Sequence, residues 1–138
     1  MRILFLCTGN SARSQMAEGL ARHLLGDEHE IHSAGTSPVD VNPFAVQVLA
    51  ESGIDISGQR AKGLDEIPGT AEIMITLCSH AAETCPTYPG AASVEHWNLP
   101  DPAATWGSAE EIRNEFRRIR DEIDKRMQRL ARQLKESG

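Results

Sequence analysis

An apolar run, Ile3-Leu4-Phe5-Leu6, is separated from a helical pattern starting at Gln15 only by Cys7-Thr8-Gly9-Asn10-Ser11-Ala12-Arg13-Ser14. The run reads as a buried strand. Gln15-Met16-Ala17-Glu18-Gly19-Leu20-Ala21-Arg22 reads as the first turns of a helix. A strand that turns through Gly9 into a helix N-terminus gathers backbone N–H groups into a cup at the positive end of a helix dipole. Such a cup binds a tetrahedral oxyanion. Cys7 opens it and Arg13 closes it, with five residues between them. The dipole and the guanidinium both favour thiolate over thiol, which makes Cys7 a candidate nucleophile. Arg13 offers two anion oxygens a planar fork that Lys lacks. A cation at a helix start is unfavourable unless an anion is present, which argues against a mere surface charge. Ser14 can place a hydroxyl near the sulfur, and Asn10 can bond across the loop to hold its shape.

The pattern after the loop alternates. The first strand is expected over Arg2–Leu6 and its helix to about Leu25, with Met16, Leu20 and Leu24 on the buried face. Glu30 to Gly35 reads as a second strand running into a glycine turn. Pro43 opens a helix through Ser52, with Phe44, Val48 and Leu49 inward, and Gly53 stops it. Ile54 to Gly63 is polar and reads as irregular. Glu72 to Leu77 is a third, buried strand, and Val94 to Trp97 a short fourth. Cys85, Pro86 and Pro89 argue against a long stable helix between Ser79 and Gly90. Leu99-Pro100-Asp101-Pro102 is a rigid loop. Ser108 and Glu111 form a capping box for a last helix, where Ile112, Phe116, Ile119, Ile123, Met127, Leu130 and Leu134 recur at spacings of three and four.

Strands alternating with helices imply an α/β fold with a parallel sheet covered on both faces. Ligands in such folds bind beyond the carboxyl ends of the strands. Cys7, Cys78 and Asp101 each follow a predicted strand, so all three belong on that edge. The 138 residues suffice for a single domain over 1–138, with no repeat or linker. A formal charge of −6 argues against a broad nucleic-acid footprint. The lack of a long apolar run argues against a membrane span or a secretory signal, so a cytoplasmic monomer is expected.

Three cysteines, an odd number, argue against a purely structural disulfide framework. Taken alone, Cys78 reads as a small buried hydrophobe and Cys85 as a loop residue. Their spacing is too long for a zinc knuckle, and no metal is expected. His32, His80 and His96 lack ligand-like spacing, and packing is the default account of Trp97 and Trp106. Yet three thiols near one sheet edge, one of them activated, also permit a redox relay.

The loop CTGNSARS, continuing QMAEG, resembles that of the low-molecular-weight protein tyrosine phosphatases and of the thioredoxin-coupled arsenate reductases built on the same fold. Gln15 leans towards the reductases, since the phosphatases usually carry Pro there. Many relatives have a second Cys where this chain has Ala12, a residue the anion chemistry does not need. Thr76 to Pro86, with six residues between Cys78 and Cys85, resembles the reductases' redox segment. His96 to Ala103 resembles their general-acid loop, and the resemblance continues through Phe116 to Ile123. It implies a three-layer α/β/α fold with a four-stranded parallel sheet, and reduction of arsenate. It also implies a catalytic set of Cys7, Cys78, Cys85, Arg13 and Asp101. The oxyanion, for which phosphate or sulfate would be an analogue, would be held by Thr8, Gly9, Asn10, Ser11, Ala12, Arg13 and Ser14. No bound cofactor is implied; thioredoxin would be the external reductant. Some reductases of this kind hold a potassium ion at positions matching Asn10, Glu18 and Ser33, plus an Asp where this chain has Lys62. An ammonium there implies potassium independence. The rival readings are a phosphatase acting on phosphotyrosine, and a phosphocarrier, against which Asp101 speaks.

Overall fold

The computed structural model describes residues 1–67, 69–78 and 91–137. Four strands, β1 (Arg2–Leu6), β2 (Glu30–Ala34), β3 (Ala71–Thr76) and β4 (Ala91–His96), form one parallel sheet in the order β2-β1-β3-β4. Three helices, α1 (Arg13–Leu25), α2 (Pro43–Glu51) and α3 (Ala109–Ser137), connect and cover it.

β1 is central, which explains why its sequence is apolar without alternation. Its pleat sends Ile3 and Phe5 to one face and Leu4 and Leu6 to the other. The first face carries the larger core, where Ile3, Phe5 and Ile75 meet Met16, Ala17 and Leu20 of α1, Val48 and Leu49 of α2, and Phe116, Ile119 and Ile123 of α3. On the second face Leu4, Leu6 and Met74 pack with Ile67 and with Leu64 from a short 3-10 turn, Leu64–Glu66.

The strand and helix starts follow the expected signals. Asn42 caps α2 by accepting from the Phe44 amide at 2.9 Å, with Pro43 at the first position. Gly53, at φ 77°, follows its end. The capping box of α3 is reciprocal: Glu111 N–H donates to Ser108 Oγ at 3.1 Å, and Ser108 N–H to Glu111 Oε1 at 3.2 Å.

Three expectations are adjusted. Leu24 is 37% exposed rather than inward, because a four-residue step overshoots a helical turn by about 40°. After two steps from Met16 the buried stripe has passed to Ala21 and Leu25. β4 begins at Ala91, earlier than the apolar pattern suggests, because pairing of Ala91 with Ala71 recruits small residues into the ladder. The segment after α2 has no regular structure up to Gly63, yet Ile54 and Ile56 are buried. Ile56 lies so close to α1 that a Cβ on Gly19 would come within 2.5 Å of its Cγ2. The redox-segment expectations for residues 79–90, Cys85 and His80 among them, lie outside the described residues.

α2 is tied to α3 by charge. Glu51 accepts from Arg117 Nη2 at 2.7 Å and from Arg120 Nη1 at 2.8 Å. The Arg117 bond, with help from Arg120, holds the Glu51 carboxyl at about 2, below its usual 4.5. A depressed carboxyl stabilises the fold above its unfolded value and loses that contribution as pH falls through its folded one. Glu51→Gln should therefore lower the thermal midpoint at neutral pH only slightly, because the pair is largely exposed. In scanning calorimetry the gap from the parent should close between pH 4.5 and about 2, and also in about 1 M salt.

Candidate active site

The strand order reverses direction at β1 and β3, and the crevice beyond their carboxyl ends is where such sheets bind ligands. Cys7 follows β1, Cys78 lies two residues beyond β3, and Asp101 lies on the loop leaving β4. Leu77 N–H donates to Leu6 O at 2.9 Å, and Leu99 N–H to Leu77 O at 3.3 Å, so the three strand ends stay in register past the sheet.

The Cys7–Arg13 loop is held by its carbonyls. Those of Thr8, Gly9 and Ser11 accept from the amides of Ser37, Val39 and Asn42, each at 3.0 Å. A trans peptide points its N–H opposite its C=O, so these anchors turn the loop's own N–H groups towards the crevice. No side chain caps α1. A helix start without a side-chain cap suits an anion, the arrangement the spacing predicts.

Arg13 is 3% exposed. Its Nη1 donates to Leu99 O at 2.9 Å and to Leu77 O at 3.3 Å, and its Nη2 lies 3.9 Å from Asp101 Oδ2. Asp101 Oδ1 accepts from Ala103 N–H at 2.9 Å, capping the turn Pro102–Ala104 and leaving Oδ2 on the arginine side. Cys7, Gly9, Ala12, Arg13 and Asp101 line one cavity of about 320 Å³. Thr8, Ser11, Ser37, Val39 and Ala103 complete its wall among the described residues.

The Cys7 sulfur is 2.8 Å from Ser14 Oγ, which also accepts from Asn10 Nδ2 at 2.8 Å. Asn10 stands at φ 46°, the sole non-glycine with positive φ among the described residues. Asn and Asp tolerate that region better than other side chains. Cys78 is fully buried and does not line the cavity. It is placed by the register of Leu77, whose carbonyl Arg13 holds.

Under the loop, Ser33 Oγ donates to Glu18 Oε1 at 2.5 Å, and Lys62 Nζ lies 3.4 Å from the same oxygen. Lys62 Nζ also donates to Arg60 O at 2.8 Å. Trp97 is buried against Phe5 with ring centroids 6.1 Å apart, whereas Trp106 is 92% exposed.

Sequence reading missed several contributors. The Leu77 and Leu99 carbonyls that hold Arg13 carry no side-chain signature. Gln15 is buried and bonds to Asn10, a role beyond its diagnostic value. Gly35, expected only as a turn, is where the loop crosses the end of β2. A Cβ there would stand 2.4 Å from Thr8 O, 2.7 Å from Cys7 O and 2.8 Å from Asn10 N.

The chain belongs to the low molecular weight phosphotyrosine protein phosphatase family, which it matches over residues 2–138. Several of its relatives in that family are arsenate reductases. It is 49% identical over 130 residues to the arsenate reductase of Halalkalibacterium halodurans, covering 94% of each chain. Among solved structures it is similar to an arsenate reductase in a phosphate binding state, with a TM-score of 0.80 at 32% identity, over 96% of this chain and 97% of that one. It is also similar to a thioredoxin-dependent arsenate reductase of Corynebacterium glutamicum, with a TM-score of 0.72 at 30% identity, over 99% of this chain and 63% of that one. No helix among the described residues is long and apolar enough to cross a membrane.

Three backbone atoms within 2.4–2.8 Å cannot yield to a methyl group without moving the loop. Gly35→Ala should weaken inorganic phosphate binding by more than about tenfold, because misplacing several amide donors at once forfeits charge-assisted bonds. Calorimetric titration checks this, and parental affinity would show that the loop tolerates the displacement.

Proposed function

We propose that this protein reduces arsenate to arsenite through a relay of Cys7, Cys78 and Cys85, regenerated by thioredoxin in the cytoplasm. The observation that carries the reading is the position of Cys78. It is a buried thiol one residue past Leu77, whose carbonyl is bonded to the anion-site arginine. The close similarity to arsenate reductases supports the same reading.

Arsenate sits in the loop on its N–H groups and Arg13. The Cys7 thiolate attacks arsenic, and Asp101 protonates the departing oxygen, which leaves as water. The Cys78 thiolate then attacks the Cys7 sulfur. The sulfur–arsenic bond breaks, its electron pair stays with arsenic, and arsenite leaves. Two electrons have passed from two thiolates to arsenic, and Cys7 and Cys78 are joined. Cys85 attacks Cys78, which frees the Cys7 thiolate and leaves a Cys78–Cys85 disulfide for a dithiol protein to reduce.

Among the described residues, the cavity wall beyond the loop, Arg13 and Asp101 is Ser37, Val39 and Ala103. Phosphate ester hydrolysis remains a side reaction that the same loop and Asp101 could serve.

Cys85→Ser should allow one arsenate turnover and then stop with Cys7 and Cys78 joined, whereas the same variant assayed without arsenate, its Cys7 still reduced, should hydrolyse phosphate esters like the parent. Mass mapping after anaerobic single turnover of the parent should find the Cys78–Cys85 bond. Repeated thioredoxin-dependent turnover by the variant would remove the relay from consideration.

Lys62 places its ammonium beside Glu18. Asn10 Oδ1 is engaged by the Lys62 amide at 2.8 Å and by Gln15. Two of the oxygens that serve a potassium ion in some reductases thus have protein partners here. Turnover should be equal in sodium and potassium buffers of the same ionic strength, and a clear gain in potassium would contradict this.

A further inference from the structure

Three carboxamides, those of Gln59, Gln15 and Asn10, stand in line beneath the loop, and backbone groups fix which end of each is which. Gln59 Nε2 lies 3.1 Å from the backbone oxygen of Gln15, so that end must be the donor. It also donates to Gln15 Oε1 at 2.7 Å. Gln15 Nε2 faces two backbone carbonyls, Asn10 O at 3.0 Å and Arg60 O at 2.9 Å, so it too is fixed as a donor. It reaches Asn10 Oδ1 at 3.0 Å as well. The Lys62 amide, which can only donate, lies 2.8 Å from Asn10 Oδ1 and confirms that this end is the carbonyl. Asn10 Nδ2 therefore donates to Ser14 Oγ. The Ser14 oxygen can receive two donors, so its bond with a Cys7 thiol runs either way; opposite a thiolate only Ser14 can donate, and the bond from Asn10 leaves the Ser14 proton free to do so.

Every bond up to Ser14 points towards the sulfur, an arrangement ready to donate to a thiolate there. We infer that Gln15 is a positioning residue for the Cys7 thiolate, acting through Asn10 and Ser14, and that Gln59 supports the Gln15 side chain by donating to its carbonyl. Gln15 is fully buried and holds both the peptide carbonyl and the side chain of Asn10. Asn10 needs holding, because its left-handed φ is disfavoured for any side chain. Without the Gln15 amide, the buried Asn10 oxygen loses a donor and the loop can relax away from Ser14. A proline at this position has no amide with which to do this.

The inference rests on Cys7 as the nucleophile, not on arsenate as the substrate. In a Cys78→Ser, Cys85→Ser background, Cys7 is the sole thiol, and its rate of alkylation by iodoacetamide can be followed from pH 5 to 9. The charged groups facing it across the cavity, Arg13 and Asp101, are left unaltered. Gln15→Met keeps the bulk and removes the donors. It should move half-maximal alkylation to higher pH and slow the reaction at pH 6.5 by about tenfold, the scale of one charge-assisted bond. Gln59 is only partly buried, so its variants should fold even if Gln15→Met does not. Gln59→Glu can only accept and should repel the Gln15 carbonyl, pushing that side chain out of its place beside Asn10. Gln59→Lys can only donate and should keep the parental profile. Both are read in about 0.5 M salt, where the added charges are screened. The inference fails if a folded Gln15→Met alkylates like its parent at every pH, or if Glu and Lys at position 59 behave alike. A protein that failed to reduce arsenate but gave the expected profiles would leave it standing.

Discussion

The buried guanidinium of Arg13 is the interaction on which the site depends. Taking such a cation out of water costs several kcal/mol unless hydrogen-bond acceptors replace the solvent. Two of those acceptors are the carbonyls of Leu77 and Leu99, and a carboxylate oxygen of Asp101 lies 3.9 Å away. None of the three lies on the element that carries the arginine. The requirement to solvate one charge thus draws together the start of α1, the end of β3 and the loop after β4. The two carbonyls are neutral, so they solvate the cation without adding a charge of their own. Asp101, two-fifths exposed, is close enough to feel the cation and distant enough not to form a tight pair.

The loop's shape depends on a second constraint, the closeness of its neighbours. Gly35 lets the chain leaving β2 pass against Cys7 and Thr8 with no room for a methyl group. Gly35 is also bridged to Gly63, and its amide donates to Lys62 O at 2.9 Å. The irregular stretch after α2 is thereby fixed at both ends. Ile54 and Ile56 anchor it in the core, and Lys62 and Gly63 anchor it beside β2. That is why a segment without helix or strand can present Gln59, the Arg60 carbonyl and the Lys62 amide to Asn10 at hydrogen-bond distance.

Much of this was legible in the sequence because it rests on local signals. The apolar run of β1, the glycine of the loop, the proline at the start of α2 and the Ser108–Glu111 box each act over a few residues. The parallel order of the sheet follows from the alternation, and with it the common edge of Cys7, Cys78 and Asp101. What could not be read was carried by backbone atoms or long-range register. The carbonyls around Arg13 look the same in any sequence. The glutamine chain required knowing that residue 59 packs under residue 15, a contact between a helix and an irregular segment 44 residues away. Leu24 misled for a different reason: three leucine-like residues at steps of four look aligned, but only two of them lie over the same strip of sheet.

Burial also bears on why the proposed relay would need a third sulfur. Cys7 is 2% exposed and Cys78 is fully buried. A bond formed between them would join a nearly buried sulfur at the cavity to one that does not line it, where a protein dithiol has little room for in-line attack. Exchange rates depend on access as much as on thiolate fraction. Opening the wall to admit a partner would disturb Leu77 and Leu99, the residues that solvate Arg13, and so would dismantle the anion site to regenerate it. Moving the disulfide one step further along the chain avoids that conflict. Under the proposed relay, Cys7 and its loop would return to the reduced arrangement at once, and the oxidising equivalents would leave with Cys78 and Cys85. The position of β3 suits that partition: its Thr76 pairs with Leu6, one residue before Cys7, and the chain that follows carries the next thiol.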